Sequence, residues 1–167
     1  EKIAQFIESE IGIACLDISG NFCVDKKPSY QNFIRGRGYM VRAEITVPGE
    51  VVLNVLKTTP EKIYESWLAK CMIGSAVSGS LGYNAQYANI VAALGIATGQ
   101  DPAHVVEGSM GITTVENVKS QSSNVKSNDL YMSVYLPSVL VGTVGGGTGL
   151  ATQREALSIM GISGGND

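Results

Sequence analysis

Apolar positions three and four residues apart open the chain: Ile3, Phe6 and Ile7 predict a helix over residues 2–10, which Gly12 breaks. A short apolar run over 13–18 then predicts a strand. Residues 19–38 carry Gly, Asn, Pro and Ser at the density of a loop. Alternation returns over Tyr39–Val47, with Val41, Ala43, Ile45 and Val47 on one face of a strand that Pro48 and Gly49 end. Residues 51–56 read as a short amphipathic helix. Thr59, Pro60 and Glu61 form a helix start, with a capping hydroxyl, proline at the first position and an acid in the first turn. That helix is expected to run towards Gly79 with Ile63, Trp67 and Cys71 on one face, and its small-residue end over 74–79 allows close packing. Residues 84–98 predict a helix apolar nearly all round, hence buried, and ending at Gly99. Strands are expected over Ile112–Val118 and 130–136, joined by a polar loop, and a last helix over 150–160. Strands, then helices, then strands favour an α+β fold over a doubly wound sheet.

Composition narrows the function classes. With 167 residues the chain suffices for one core or for part of a larger domain. A net charge of −3 and the lack of any basic block exclude a nucleic-acid-binding surface of the usual kind. Residues 90–97 are apolar but too short to span a bilayer, and no signal peptide is visible. Cys15, Cys23 and Cys71 lack metal-ligand spacing, so no metal is expected. Cys23 falls in a predicted loop and the other two read as small core residues. A reduced, cytoplasmic setting follows. The chain begins directly in a helical pattern and stops at residues 163–167 as though just past a helix, the pattern of a fragment.

Two clusters carry candidate chemistry. Asp25-Lys26-Lys27-Pro28 places two ammonium groups beside an acid, in a segment where Pro28 restricts the backbone at Lys27. A solvated turn is the plain alternative. The chemical one is an ammonium placed to stabilise charge developing on a carbonyl oxygen during hydride attack. The run Gly142-Thr-Val-Gly-Gly-Gly-Thr148 lets the backbone approach an anionic ligand. It lacks both the Gly-Lys-Ser/Thr of a P-loop and the spaced glycines of a dinucleotide fingerprint. Lys70, among apolar and small neighbours, is either a snorkelling side chain or a clamp for a carboxylate. Asn89 lies in the most apolar helix, where it must bond a neighbour or face a ligand. Asp101, before Pro102, is a helix cap or a partner that tunes a lysine. His104, the sole histidine, reads as structural or surface-lying.

Taken with Ser19-Gly-Asn-Phe-Cys-Val, Lys57-Thr-Thr, Gly74-Ser-Ala, Gly82-Tyr-Asn84, Ala88-Asn-Ile-Val91 and Gly99-Gln-Asp101, these segments resemble, in order and over nearly the whole chain, hydroxymethylglutaryl-CoA reductase. The Asp-Lys-Lys-Pro form resembles the class that includes eukaryotic and archaeal enzymes. The run from Gly99 to Gly108 looks archaeal. The resemblance implies reduction of hydroxymethylglutaryl-CoA to mevalonate and CoA with two NADPH. It also implies a homo-oligomer whose active site is shared between subunits. Residues 1–18 would end a small ferredoxin-like NADP-binding domain, 19–32 would form the linking substrate loop, and 33–167 would be part of the large catalytic domain. Lys26 would polarise the thioester and then the aldehyde carbonyl, with Asp101 as its partner. Ser19, Asp25, Lys27, Lys70 and Asn89 would hold the hydroxymethylglutaryl group. Gly99, Gln100, Asp101, Val144, Gly145, Gly146 and Gly147 would lie at the NADPH site, and Lys57 would approach CoA phosphates.

Departures from the family pattern matter equally. The resemblance places the family's catalytic glutamate upstream of residue 1 and its CoA-protonating histidine beyond residue 167. His104 matches neither, and Gln86 stands where many members carry histidine. The 167 residues alone are therefore expected to be inactive. The alternative reading is a CoA-ester or nucleotide-binding module without chemistry.

Overall fold

Strand β3 (Asp129–Val139) is the spine of the molecule, flanked on both sides by antiparallel partners, β1 (Tyr39–Val47) and β2 (Ile112–Val118), in the order β1-β3-β2. The computed structural model describes residues 1–120 and 128–162. Register follows the hydrophobic pattern: Ala43, Ile45 and Val47 pair with Val134, Met132 and Leu130, and Met132 also pairs with Val115. Side chains directly opposite share a face, so these residues make one apolar surface, as the alternation in β1 predicts. Their neighbours make a polar one, where Tyr131 donates to Glu44 and Arg42 lies over the Tyr135 ring.

Helices cover the apolar face. Helix α3 (Gly49–Asn54) starts two residues before its predicted position, tied to β3 by the Gly49 N–H donating to Asp129 at 2.9 Å. Helix α4 (Pro60–Trp67) starts as predicted, with the Thr59 hydroxyl accepting from the Lys62 N–H. Val52, Val115 and Leu130 form the buried centre, wrapped by Val47, Ile63, Tyr64, Trp67 and Met132. The Trp67 indole donates to the Thr113 carbonyl at 2.6 Å and fixes α4 to β2.

Several expectations need correction. The single helix expected to Gly79 changes register: α4 passes into a π-helical segment, Leu68–Gly74, and then into α5 (Ser75–Val77). The segment read wholly as loop contains α2 (Tyr30–Arg35), capped by Ser29. No strand forms over 13–18, because a strand needs a ladder partner and none is present among the described residues; Leu16 and Ile18 are exposed there. Cys15, expected in the core, is exposed too, whereas Cys71 is buried and burial pushes its thiol upward. Helix α6 (Tyr87–Ala97) is not buried: Ile90, Leu94 and Ile96 are all at least half exposed. An all-apolar pattern says that a helix wants cover, not what provides it.

Helix α1 (Lys2–Ile11) forms as expected, although it buries no residue. A 3-10 turn, Pro102–His104, leads into α7 (Val105–Gly108), and α8 (Ala151–Ile159) matches the last predicted helix. The mix of helix and antiparallel sheet is α+β, as the element order predicts. Most of the polar β2–β3 loop and the terminal residues 163–167, on which the fragment expectation partly rests, lie outside the described residues. None of the described helices is long and apolar enough to cross a membrane.

The fully buried Leu130 sits where both helices and both outer strands meet. Leu130→Ala is expected to cost about 2–5 kcal/mol, seen as a lowered denaturation midpoint without loss of cooperativity.

Candidate functional site

The lysine loop is built from behind. Asn32, buried on α2, donates through Nδ2 to the carbonyls of Val24 (2.8 Å) and Lys27 (3.0 Å), while the Ser138 hydroxyl on β3 donates to its backbone carbonyl at 2.7 Å. This clamp fixes residues 24–27 against the sheet. Lys26 itself takes a left-handed backbone, φ 54°, a conformation that disfavours a side chain and needs support from its surroundings. Its ammonium lies 2.5 Å from Asp101 Oδ2. The contact pulls the Asp101 carboxyl below its ordinary range and raises the proton affinity of Lys26, so both are charged across neutral pH. Asp25 forms an ion pair with Arg37, whose hydrogen bond likewise holds its carboxyl low.

Asp101 meets both of its predicted alternatives: it caps the 3-10 turn, accepting from the Ala103 N–H at 2.9 Å, and it pairs with the lysine. Immediately before it, Gln100 exchanges two 2.8 Å hydrogen bonds with Gly142, through Nε2 to the carbonyl and from the backbone N–H to Oε1. The Gly147 N–H donates to the Gly99 carbonyl at 3.1 Å. A Cβ on Gly99 would lie 2.4 Å from the Gly147 carbonyl carbon, and φ there is +70°. Glycine is what lets the two segments touch. Together they line a cleft of about 280 Å³ with Gly99, Gln100, Asp101, Val144, Gly145 and Gly146 on its walls. Gly145, at φ +85°, has open space where a Cβ would stand.

A second, larger cleft of about 720 Å³ is lined by Lys70, Pro28, Asn84, Gln86 and the small residues at the end of the π-helical stretch. Asn89 is exposed, so the desolvation argument does not apply to it; its Nδ2 donates to Gln86 Oε1 at 2.6 Å. Lys27 turns back on its own loop, donating to the carbonyls of Asn21 (2.6 Å) and Cys23 (2.8 Å). Ser19 is exposed and its hydroxyl accepts only from the nearby Asn21 N–H among the described residues. Lys57 is exposed and lines neither cleft. The fold thus joins Asp25, Lys26, Asp101 and the two glycine segments, places Lys70 in a neighbouring cleft, and leaves Ser19 and Lys57 apart.

Sequence reasoning missed three residues. Asn32 carries no signal beyond its place between predicted elements. Arg37 stands between two glycines. Glu107 is the lone acid in an otherwise apolar and small stretch, a detectable oddity: it is fully buried, and His104 Nδ1 lies 2.8 Å from its Oε1. His104 is thus structural, as expected, but beside the lysine loop.

The family model described as hydroxymethylglutaryl-coenzyme A reductase matches residues 1–167. The chain belongs to the hydroxymethylglutaryl-CoA reductase family. Its relatives include the 3-hydroxy-3-methylglutaryl-coenzyme A reductases of Methanothermobacter thermautotrophicus, 53% identical over 99% of this chain, and Pyrococcus abyssi, 52% identical over all of it. A reductase of Oryza sativa is 50% identical over 90% of this chain. The chain spans about 40% of the length of the two archaeal reductases and 27% of the rice reductase.

Gly99→Ala is expected to separate the two glycine segments and cost more than about 1 kcal/mol in thermal unfolding. Gly149→Ala, where a Cβ meets nothing within 4 Å, is expected to be near neutral.

Proposed function

We propose that this chain supplies the lysine-bearing part of a hydroxymethylglutaryl-CoA reductase active site, which reduces hydroxymethylglutaryl-CoA to mevalonate and CoA with two NADPH. The observation that carries the reading is the Lys26 ammonium held 2.5 Å from Asp101 at the rim of the glycine-lined cleft. Asp101, the partner of Lys26, lines the smaller cleft, and Pro28, two residues past Lys26, lines the larger. The smaller suits part of a dinucleotide, since backbone closes its wall and Gly145 leaves room for close approach. Gly99, Gln100, Asp101 and the stretch 144–147 would hold it there. NADPH, when bound, supplies the hydride.

The chain's own part is electrostatic. A protonated Lys26 donates to the substrate's carbonyl oxygen and stabilises the negative charge that grows there, first on the thioester and then on the aldehyde. Asp101 keeps that ammonium protonated and aimed. Lys70 in the larger cleft would pair with the substrate carboxylate, and Asn89, with Gln86, would border it. Asp25 would act through Arg37, while Lys27 and Ser19 would reach substrate from the linking loop. The proton donors that the resemblance implies for the whole enzyme would complete each half-reaction.

Three features of the fold support the remaining assignments. Helix α1 and the exposed residues 12–22 bury nothing, as expected if residues 1–18 end a small cofactor domain and 19–32 link it to the large one. The exposed apolar side of α6 offers a surface for a second subunit.

In a full-length chain carrying this segment, Lys26→Ala is expected to lower kcat for hydroxymethylglutaryl-CoA-dependent NADPH oxidation by about a hundredfold or more with the fold intact. Near-normal turnover would remove Lys26 from the chemistry. Asp101→Asn is expected to reduce kcat more than it raises KM. Because Asp101 is the main cause of the raised Lys26 proton affinity, its loss lets the ammonium deprotonate at lower pH. The alkaline limb of the pH–rate profile should therefore move down; an unmoved limb would separate the two residues functionally.

A further inference from the structure

Lys26 has a left-handed backbone outside any helix or strand, and its N–H donates to a side chain 81 positions away: Glu107 Oε1, at 3.4 Å. Glu107 is fully buried on α7, and the same oxygen lies 2.8 Å from His104 Nδ1 and 3.7 Å from the Arg37 guanidinium. Arg37 in turn holds Asp25, the residue preceding the lysine, and His104 Nδ1 lies 3.8 Å from the same Asp25 carboxylate.

Ligand atoms of Asp25, His104 and Glu107 lie within 4.8 Å of one another, close enough to invite a cation. The cation already present is the Arg37 guanidinium, paired with Asp25 and close to Glu107. Glu107 Oε2 remains buried without a hydrogen-bond partner among the described residues. A buried acid with an orphaned oxygen is a poor device for stability, since desolvating a carboxylate is costly and packing alone does not repay it. Its remaining contacts all converge on the residues that set the position of Lys26.

We propose that Glu107 is a positioning residue for Lys26: its buried carboxylate, fixed by His104 and Arg37, accepts the Lys26 backbone N–H and holds the left-handed turn that aims the ammonium at Asp101. The two ends of Lys26 are then held by two acids of different kinds. Glu107, behind the loop and dry, grips the backbone. Asp101, in front and half-exposed, receives the side chain. This inference rests on the reductase reading for its kinetic consequence, though not for the contact itself.

The test uses a full-length chain carrying this segment, with wild type and Lys26→Ala as references. Glu107→Asp keeps the charge but withdraws the carboxylate by one methylene. It is expected to lower kcat about tenfold while KM for hydroxymethylglutaryl-CoA stays within about threefold. Glu107→Gln, which returns an oxygen to the same reach, is expected to recover most of that loss. Hydrogen exchange at the Lys26 amide gives a readout that needs no turnover: about tenfold faster in Glu107→Asp than in wild type. An inactive wild type would overturn the reductase reading, and the exchange comparison would still decide this one. Unchanged exchange in Glu107→Asp, equal kinetic loss in both variants, or loss of fold in both would overturn the positioning role.

Discussion

One buried residue decides where the Lys26 ammonium stands, because Asn32 has to satisfy its hydrogen bonds without water: its carboxamide finds partners in the lysine loop, and its backbone carbonyl accepts from Ser138 on β3. An amide left unpaired in such a place costs about 1–3 kcal/mol. The loop carbonyls of Val24 and Lys27 are therefore held by an element that is itself seated on the central strand. The chain between them has little choice but to arch, and Lys26 stands at the arch. Hydrophobic burial sets the sheet and helices; this polar clamp converts that rigidity into the position of one ammonium group.

The electrostatics divide between wet and dry. Lys26 and Asp101 are both about two-fifths exposed, so water screens their attraction and their pairing contributes direction more than stability. Glu107 and Asn32 are almost wholly buried, and there each unmet hydrogen bond is costly. Rigid polar support behind an exposed charge suits a group that must remain accessible to a ligand and yet arrive already aimed. The reciprocal bonds between Gln100 and Gly142 extend the same logic to the neighbouring cleft, where side chain and backbone lock two distant segments together.

Much of this was legible in the sequence where local rules decide. The strand alternation of β1, the Thr59–Pro60 helix start and the glycine run all formed as their residue types require. The Lys26–Asp101 pairing was accessible through family resemblance, and its geometry agrees with a tuned lysine. What escaped depends on contacts distant in sequence. Residues 13–18 have a strand's composition but no neighbour to complete the ladder among the described residues. Helix α6 carries an apolar residue on every side, a pattern that cannot distinguish burial in the chain's own core from cover by something else. The reading of Asn89 as a buried amide depends on that burial, and Asn89 is exposed. Asn32 and Glu107 are unremarkable letters until the fold buries them.

The π-helical stretch Leu68–Gly74 carries a consequence of a different sort. A π-turn holds more residues than an α-turn, so this stretch accommodates chain that a regular helix would have to carry forward. Each residue of an α-helix turns the chain by about 100°. Loss of a single residue between Trp67 and Ser75 would be absorbed by reverting to regular helix, which keeps the chain beyond, and the small residues that line the larger cleft, close to their present orientation. A one-codon deletion is thus easier to accommodate here than in a regular helix such as α6, where each residue lost turns everything after it by about 100°.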